Sequence, residues 1–178
     1  IKPTACIGSK DGKAEVNVLG DYPPFNYAWP EGQNTFRIDT LNKGLTKVYV
    51  TDSVGCKDSI SFTILEPADI SMTIINSSPT NCFGDATGSI TLSISGGTSD
   101  TLNYSFQWLD SNANLVTTSK QLTNAPAGKY TFIVTDENNC SKTFPNLIIS
   151  QPPQLIIDQL SLTNSNCKAD TSGIININ

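Results

Sequence analysis

The sequence predicts an all-β protein made of tandem immunoglobulin-like antiparallel β-sandwich repeats arranged end to end. Three observations carry this. In 178 residues Met appears once and His not at all, and β-branched residues outweigh strong helix formers in nearly every window, which favours strands. Apolar and polar residues alternate with period 2, the mark of a half-buried strand, in Ala14-Glu15-Val16-Asn17-Val18, Ser89-Ile90-Thr91-Leu92-Ser93-Ile94 and Ile174-Ile175-Asn176-Ile177. Each of these follows the same opening: Cys6 stands six positions before Gly12, Cys82 before Gly88 and Cys167 before Gly173.

The rest of each copy follows in order. A turn, Gly20-Asp21-Tyr22-Pro23-Pro24 or Gly96-Gly97-Thr98-Ser99-Asp100, leads to an aromatic strand in which Phe25, Tyr27 and Trp29 match Tyr104, Phe106 and Trp108. Gly44 precedes Asp52 of Val50-Thr51-Asp52 by eight residues, as Gly128 precedes Asp136 of Val134-Thr135-Asp136, and Cys56 and Cys140 each follow four positions later. A last strand, residues 59–65 or 143–150, stops at Glu66-Pro67 or Gln151-Pro152, where proline ends pairing and stiffens the joint. Strand candidates at 70–75 and 155–160 precede Cys82 and Cys167. The period, 76 residues from Cys6 to Cys82 and 85 from Cys82 to Cys167, is too long for a solenoid and suits separately folding domains. Residues 1–67 are then a first repeat lacking its opening strand, 68–152 a complete second repeat, and 153–178 the start of a third.

Charge and motif content narrow the function. Eleven Lys and Arg are scattered against 16 Asp and Glu, a net charge of -5, so no basic stripe meets a phosphate backbone and nucleic acid is not an expected partner. No apolar run reaches the roughly 20 residues that span a bilayer, so no direct membrane insertion is expected, and any export signal is expected outside these residues. His is absent, as are a Gly-x-Ser-x-Gly elbow and a phosphate loop, and the chain is read as non-enzymatic, with no catalytic residues and no cofactor.

Three residue classes are candidates for special roles. If the chain enters each sandwich at the pole holding the turn before the last strand, Cys6 can bridge to Cys56 and Cys82 to Cys140, with Cys167 pairing beyond Asn178. Zinc binding would want clustered Cys and His, and thiol catalysis a nearby base, so structural disulfides are preferred. Asp11, Asp85, Asp170, Asp52 and Asp136 recur at fixed places. Calcium is the less favoured reading there, because Asp also caps turns by accepting hydrogen bonds from its own backbone and no Asp-x-Asp-x-Asp loop is present. The aromatics Phe25, Tyr27, Trp29, Tyr104, Phe106, Trp108 and Tyr130 are assigned to the cores rather than to sugar stacking, because alternation puts each trio on one face.

The succession of Cys, five residues, Gly, strand, Gly-Gly or Pro-Pro turn, aromatic-x-aromatic-x-Trp, Ala-Gly-x-Tyr, Val-Thr-Asp and Cys resembles the SprB repeat of Bacteroidota surface proteins, best over residues 82–152. The resemblance implies a segment of a long adhesin, exported by type IX secretion to the cell surface and in some members moved by the gliding machinery. Its expected partners are neighbouring repeats, surface polysaccharide, and the secretion and gliding machinery. A ligand-binding sandwich module, or an accessory region of a secreted hydrolase, is the alternative. The first copy departs from the pattern in Lys43-Gly44-Leu45-Thr46, with Thr46 where Tyr130 stands, so it lacks a tyrosine-corner bond. Thr40, Ser53, Ser59 and Thr101 each follow Asp and precede an aliphatic residue, resembling the pattern at which Bacteroidota proteins carry O-linked glycans.

Overall fold

A computed structural model describes residues 1–98, 103–158, 160–163 and 174–177. Their regular structure is all strand, and every pairing is antiparallel. Two separate hydrophobic cores are present, one within residues 14–64 and one within 70–149.

The first unit contains β1 (Gly12–Glu15), β2 (Asn26–Ala28), β3 (Arg37–Leu41), β4 (Gly44–Thr51) and β5 (Lys57–Ile64). One sheet pairs β1 with β3, and the other runs β2-β4-β5. The second unit contains β6 (Ala68–Ser78), β7 (Gly88–Gly97), β8 (Ser105–Leu109), β9 (Leu115–Thr117), β10 (Leu122–Ala125), β11 (Gly128–Thr135) and β12 (Ser141–Ile149). Its sheets run β10-β7-β6 and β12-β11-β8-β9, the two-sheet layout of an immunoglobulin-like sandwich. Register matches between units: Gly12 faces Leu41 and Ala14 faces Ile38, as Gly88 faces Ala125 and Ile90 faces Leu122. β13 (Leu160–Thr163) pairs with β14 (Ile174–Ile177). The strand expected at 155–160 meets β13 at Leu160.

Alternation builds the cores. Along β7, Ile90, Leu92 and Ile94 point inward, and along β11 Tyr130, Phe132 and Val134 do. Trp108 is fully buried, its ring centroid 4.8 Å from that of Phe132, and its indole N–H donates to the Ser119 carbonyl at 3.1 Å. Trp29 repeats this in the first unit, donating to the Thr35 carbonyl at 2.8 Å, with Phe62 edge-on at 6.2 Å. The opening strand β6 adds Ile70 and Met72 to the second core. The first core has no such contribution, and its buried cluster is Ala14, Trp29, Ile38, Leu41, Val48 and Ile64.

The recurring glycine has a steric cause. A Cβ on Gly12 would lie 2.8 Å from both the Leu41 carbonyl oxygen and Ile64 Cγ2, and one on Gly88 would lie 2.3 Å from Ile149 Cγ2. The two sheets close against each other at this point, and only a residue without a side chain fits.

Candidate functional site

Strand direction decides which cysteines can meet. In the second unit β6 carries the chain along the whole length of the sandwich before the turn that holds Cys82, so this opening turn lies at the far pole. There Thr80 N donates to the Ser150 carbonyl (3.0 Å) and Gly84 N to Gln151 Oε1 (3.0 Å), just past the end of β12. The closing turn, which ends at Cys140, lies just before the start of β12. Nine residues of strand separate the two poles, roughly 30 Å. The first unit is laid out alike: Thr4 N donates to the Leu65 carbonyl (3.0 Å) and Gly8 N to Glu66 Oε2 (3.0 Å), while Cys56 lies at the other end of the eight-residue β5. Bridgeable cysteines have Cα atoms within about 7 Å, so bonds inside a unit are ruled out.

The disulfide instead joins Cys6 of the first unit to Cys140 of the second, 134 residues apart. This corrects the expected Cys6–Cys56 and Cys82–Cys140 pairings. Those pairings require the chain to enter at the closing-turn pole, but an opening strand comes first and moves the cysteine turn to the opposite end. Cys56 and Cys82 are exposed, unbonded thiols, and Cys167 lies outside the described residues.

Short-range polar bonds hold both ends of the bridge. Ser9 Oγ accepts from Cys6 N at 3.2 Å and donates to Asp11 Oδ1, which also accepts from Ala5 N at 2.9 Å. The Ser9 hydroxyl first, and then the Ala5 amide, lower the pKa of Asp11. At the other end the Asp136 carboxylate is buried: Oδ1 accepts from Asn138 N (3.0 Å) and Cys140 N (2.9 Å), and Oδ2 accepts from Thr98 N (3.1 Å) and Thr98 Oγ1 (2.8 Å). Burial acts to raise its pKa, but these donors outweigh burial and the net shift is downward. Asp52 repeats the cap, with Oδ1 accepting from Val54 N (3.0 Å) and Cys56 N (2.8 Å). Three of the recurring carboxylates are thus engaged by backbone N–H groups. Asp85 is in the Cys82 turn, its own N–H donating to the Cys82 carbonyl at 3.2 Å, and Asp170 lies outside the described residues.

Next to the bridge, Ile7 of the opening turn lines a gap of about 30 Å³ with Pro67, Ala68, Ile70, Asp136 and Lys142. Lys142 pairs with Asp69 at 2.6 Å, and Lys43 pairs with Glu66. The Glu66 contact to Gly8 and its counterpart from Gln151 to Gly84 went unread in the sequence. The signal was there, an acidic or amide side chain directly before proline in both copies.

The remaining candidates fall as follows. Trp29, Trp108 and Tyr130 are buried, and Tyr27, Tyr104 and Phe106 pack half-buried against the cores. Phe25 is different: it precedes β2 and lines an open cleft with Val18, Gly20, Val50 and Cys56, outside the buried cluster. Burial alternates from Phe25 through Trp29, with Phe25 half-buried like Tyr27, but the cleft rather than the core takes its ring. Thr40 and Ser53 are exposed, Thr40 Oγ1 accepting from Gln33 Nε2 at 3.0 Å; Ser59 is half-buried, and Thr101 lies outside the described residues.

Comparison with known families decides the type of unit. Residues 74–113, from β6 through the aromatic strand β8, match the family model described as SprB repeat. The chain carries a SprB-type repeat. Such a repeat marks a region of the cell-surface adhesin type, and the disulfide is consistent with an extracellular location. No curated protein sequence matches the chain. Among solved structures, the three N-terminal domains of the bacteriophage RB49 Highly Immunogenic Outer Capsid protein (Hoc) superpose with a TM-score of 0.56 at 17% identity. That match covers 97% of this chain and 66% of the Hoc chain, and it supports the immunoglobulin-like fold alone. The amphioxus IgVJ-C2 molecule matches at a TM-score of 0.39 and 12% identity, covering 80% of this chain and 98% of its own.

Proposed function

We propose that these SprB-type units form a semi-rigid stalk that projects the adhesive part of a secreted surface protein away from the cell, in attachment and in surface gliding. The observation that carries this is the Cys6–Cys140 bond, a covalent tie between consecutive units. Between β5 and β6 only Leu65, Glu66 and Pro67 intervene, and proline fixes its own φ and pushes its predecessor toward extended geometry. A joint held at two points, by backbone on one side and by disulfide on the other, resists swing far better than a single short linker. Units in series then add a few tens of Å each, since a domain of about 80 residues has a radius of gyration near 12 Å.

The chemistry of the chain suits a mechanical part. Its largest aromatics are spent on cores, and its recurring carboxylates cap turns. We read it as non-enzymatic and independent of a cofactor, its immediate partners being neighbouring repeats of the same chain. Type IX export in a Bacteroidota cell belongs to the same reading and follows from the family resemblance. The test is to delete repeats one at a time from the full-length protein and measure the distance of a tip epitope from the cell surface. The stalk reading expects the reach to shorten in equal steps with an adhesive tip that still binds its surface in solution; unchanged reach, or lost tip binding, contradicts it.

A further inference from the structure

We infer that Cys56 and Cys82 are the two open ends of a disulfide ladder, in which the opening-turn cysteine of every repeat bonds the closing-turn cysteine of the repeat that follows. Cys82 would then bond the closing turn of the unit that begins at Pro153, and Cys56 the opening turn of a unit ahead of this one. This goes beyond the stalk reading, because it concerns how consecutive units are locked and not what the protein adheres to.

The two unbonded thiols sit in half-sites that reproduce the bonded ones. Cys82 occupies the position of Cys6. Thr80 N donates to the Ser150 carbonyl at 3.0 Å, as Thr4 N does to Leu65 at 3.0 Å, and Gly84 N donates to Gln151 at 3.0 Å, as Gly8 N does to Glu66 at 3.0 Å. Cys56 occupies the position of Cys140. The Asp52 N–H donates to the Cys56 carbonyl at 3.0 Å and Cys56 N returns to Asp52 Oδ1 at 2.8 Å, against 3.0 and 2.9 Å in the Asp136 turn. Each half-site therefore presents its sulfur from the same backbone frame that makes the Cys6–Cys140 bond.

The surface around one of the thiols is also open. Phe83, next to Cys82, stands where Ile7 stands next to Cys6, and the two are alike in exposure, at 49% and 51%. At the closing turn of the second unit, Ile7 and the start of β6 leave a gap of only about 30 Å³. At the closing turn of the first unit the corresponding place is an open cleft of about 360 Å³, bordered by Cys56, Asp52, Val50 and Phe25. Its occupant, by this equivalence, is the opening turn of a preceding repeat together with the opening strand that the first unit lacks. Spacing supports the forward partner as well: closing cysteines follow opening ones by 50 residues from Cys6 to Cys56 and by 58 from Cys82 to Cys140, and Cys167 opens a third copy of the series.

Each rung forms by thiol–disulfide exchange. The two cysteine thiols give up two protons and two electrons, one S–S bond forms between them, and the S–S bond of a donor disulfide in the export compartment breaks to yield a dithiol. The stagger means that no unit closes a bond on itself, so a rung can form only once the following unit has folded.

Non-reducing peptide mapping of the full-length protein, alkylated before digestion, tests this. The expected result is Cys82 joined to a cysteine four residues after a Val-Thr-Asp in the next repeat, Cys56 joined to the first cysteine of the repeat ahead, and no alkyl label on either. A Cys56–Cys82 peptide, or label on either thiol without reduction, overturns the ladder. Cys82→Ser adds a second readout: it should expose one new labelled thiol, in the closing turn of the following repeat, and label appearing on Cys56 instead contradicts the stagger. A full stepwise reach without the rungs would leave the stalk reading standing and remove only this inference.

Discussion

The Tyr130 hydroxyl donates a 2.7 Å hydrogen bond to the carbonyl oxygen of Pro126, four residues upstream at the corner where the chain enters β11. Burial, and after it the nearby Asp110 carboxylate, pushes the phenol pKa up, so the donor keeps its proton well into the alkaline range. Removing the hydroxyl leaves the Pro126 oxygen without this donor. Tyr130→Phe should destabilise the second unit by about 1–2 kcal/mol, read as a lower urea midpoint at unchanged slope.

Thr46 holds the same place in the first unit and shows the opposite situation. Its side chain is buried, and its hydroxyl has no hydrogen-bond partner among the described residues. Thr46→Val keeps the shape and removes the unpaired polar atom, so it should raise the stability of the first unit by about 1 kcal/mol. A loss of stability would show that the hydroxyl is satisfied in solution.

Trp108 is fully enclosed against Phe132 and bonded to the Ser119 carbonyl. Trp108→Ala should cost roughly 3–5 kcal/mol in chemical denaturation. A cost under about 1 kcal/mol would suit an exposed, ligand-stacking tryptophan instead.

Asp136 gives the junction a pH dependence. Its folded-state pKa lies below its unfolded value, so its stabilisation is fully present above about pH 4 and fades as pH falls through the folded value. Asp136→Asn keeps one acceptor but turns an amide donor toward either Thr98 or the Cys140 turn, which should cost about 1–3 kcal/mol at pH 7. The gap between the two proteins should narrow on acidification below pH 4, followed by unfolding midpoints at each pH. A gap that stays constant would mean that the carboxylate is not held in its ionised form by the turn.

The fold was legible in the sequence because its signals are local. Alternation in residues 89–94, the aromatic triplets and the Val-Thr-Asp turns each specify a strand or a turn without knowledge of the rest. The Cys-x5-Gly spacing was legible as a motif but not as a cause, since the collision of Gly88 with Ile149 joins strands that lie 61 residues apart. The disulfide was misread for a related reason. Which pole a cysteine occupies depends on the number of strands the chain has traversed in its unit, a count that no local pattern carries. Phe25 keeps the period-2 pattern but stands at its outer end, where the ring borders a cleft instead of the core, a difference that alternation alone does not carry.

Whether consecutive units are tied across their junction can be read from the disulfide map of the oxidised 178-residue chain. Digestion under non-reducing conditions should yield one peptide joining Cys6 to Cys140, which separates into its two halves on reduction. Recovery of Cys6 with Cys56, or of Cys82 with Cys140, would contradict the account, because either bond would require opposite poles of one sandwich to touch.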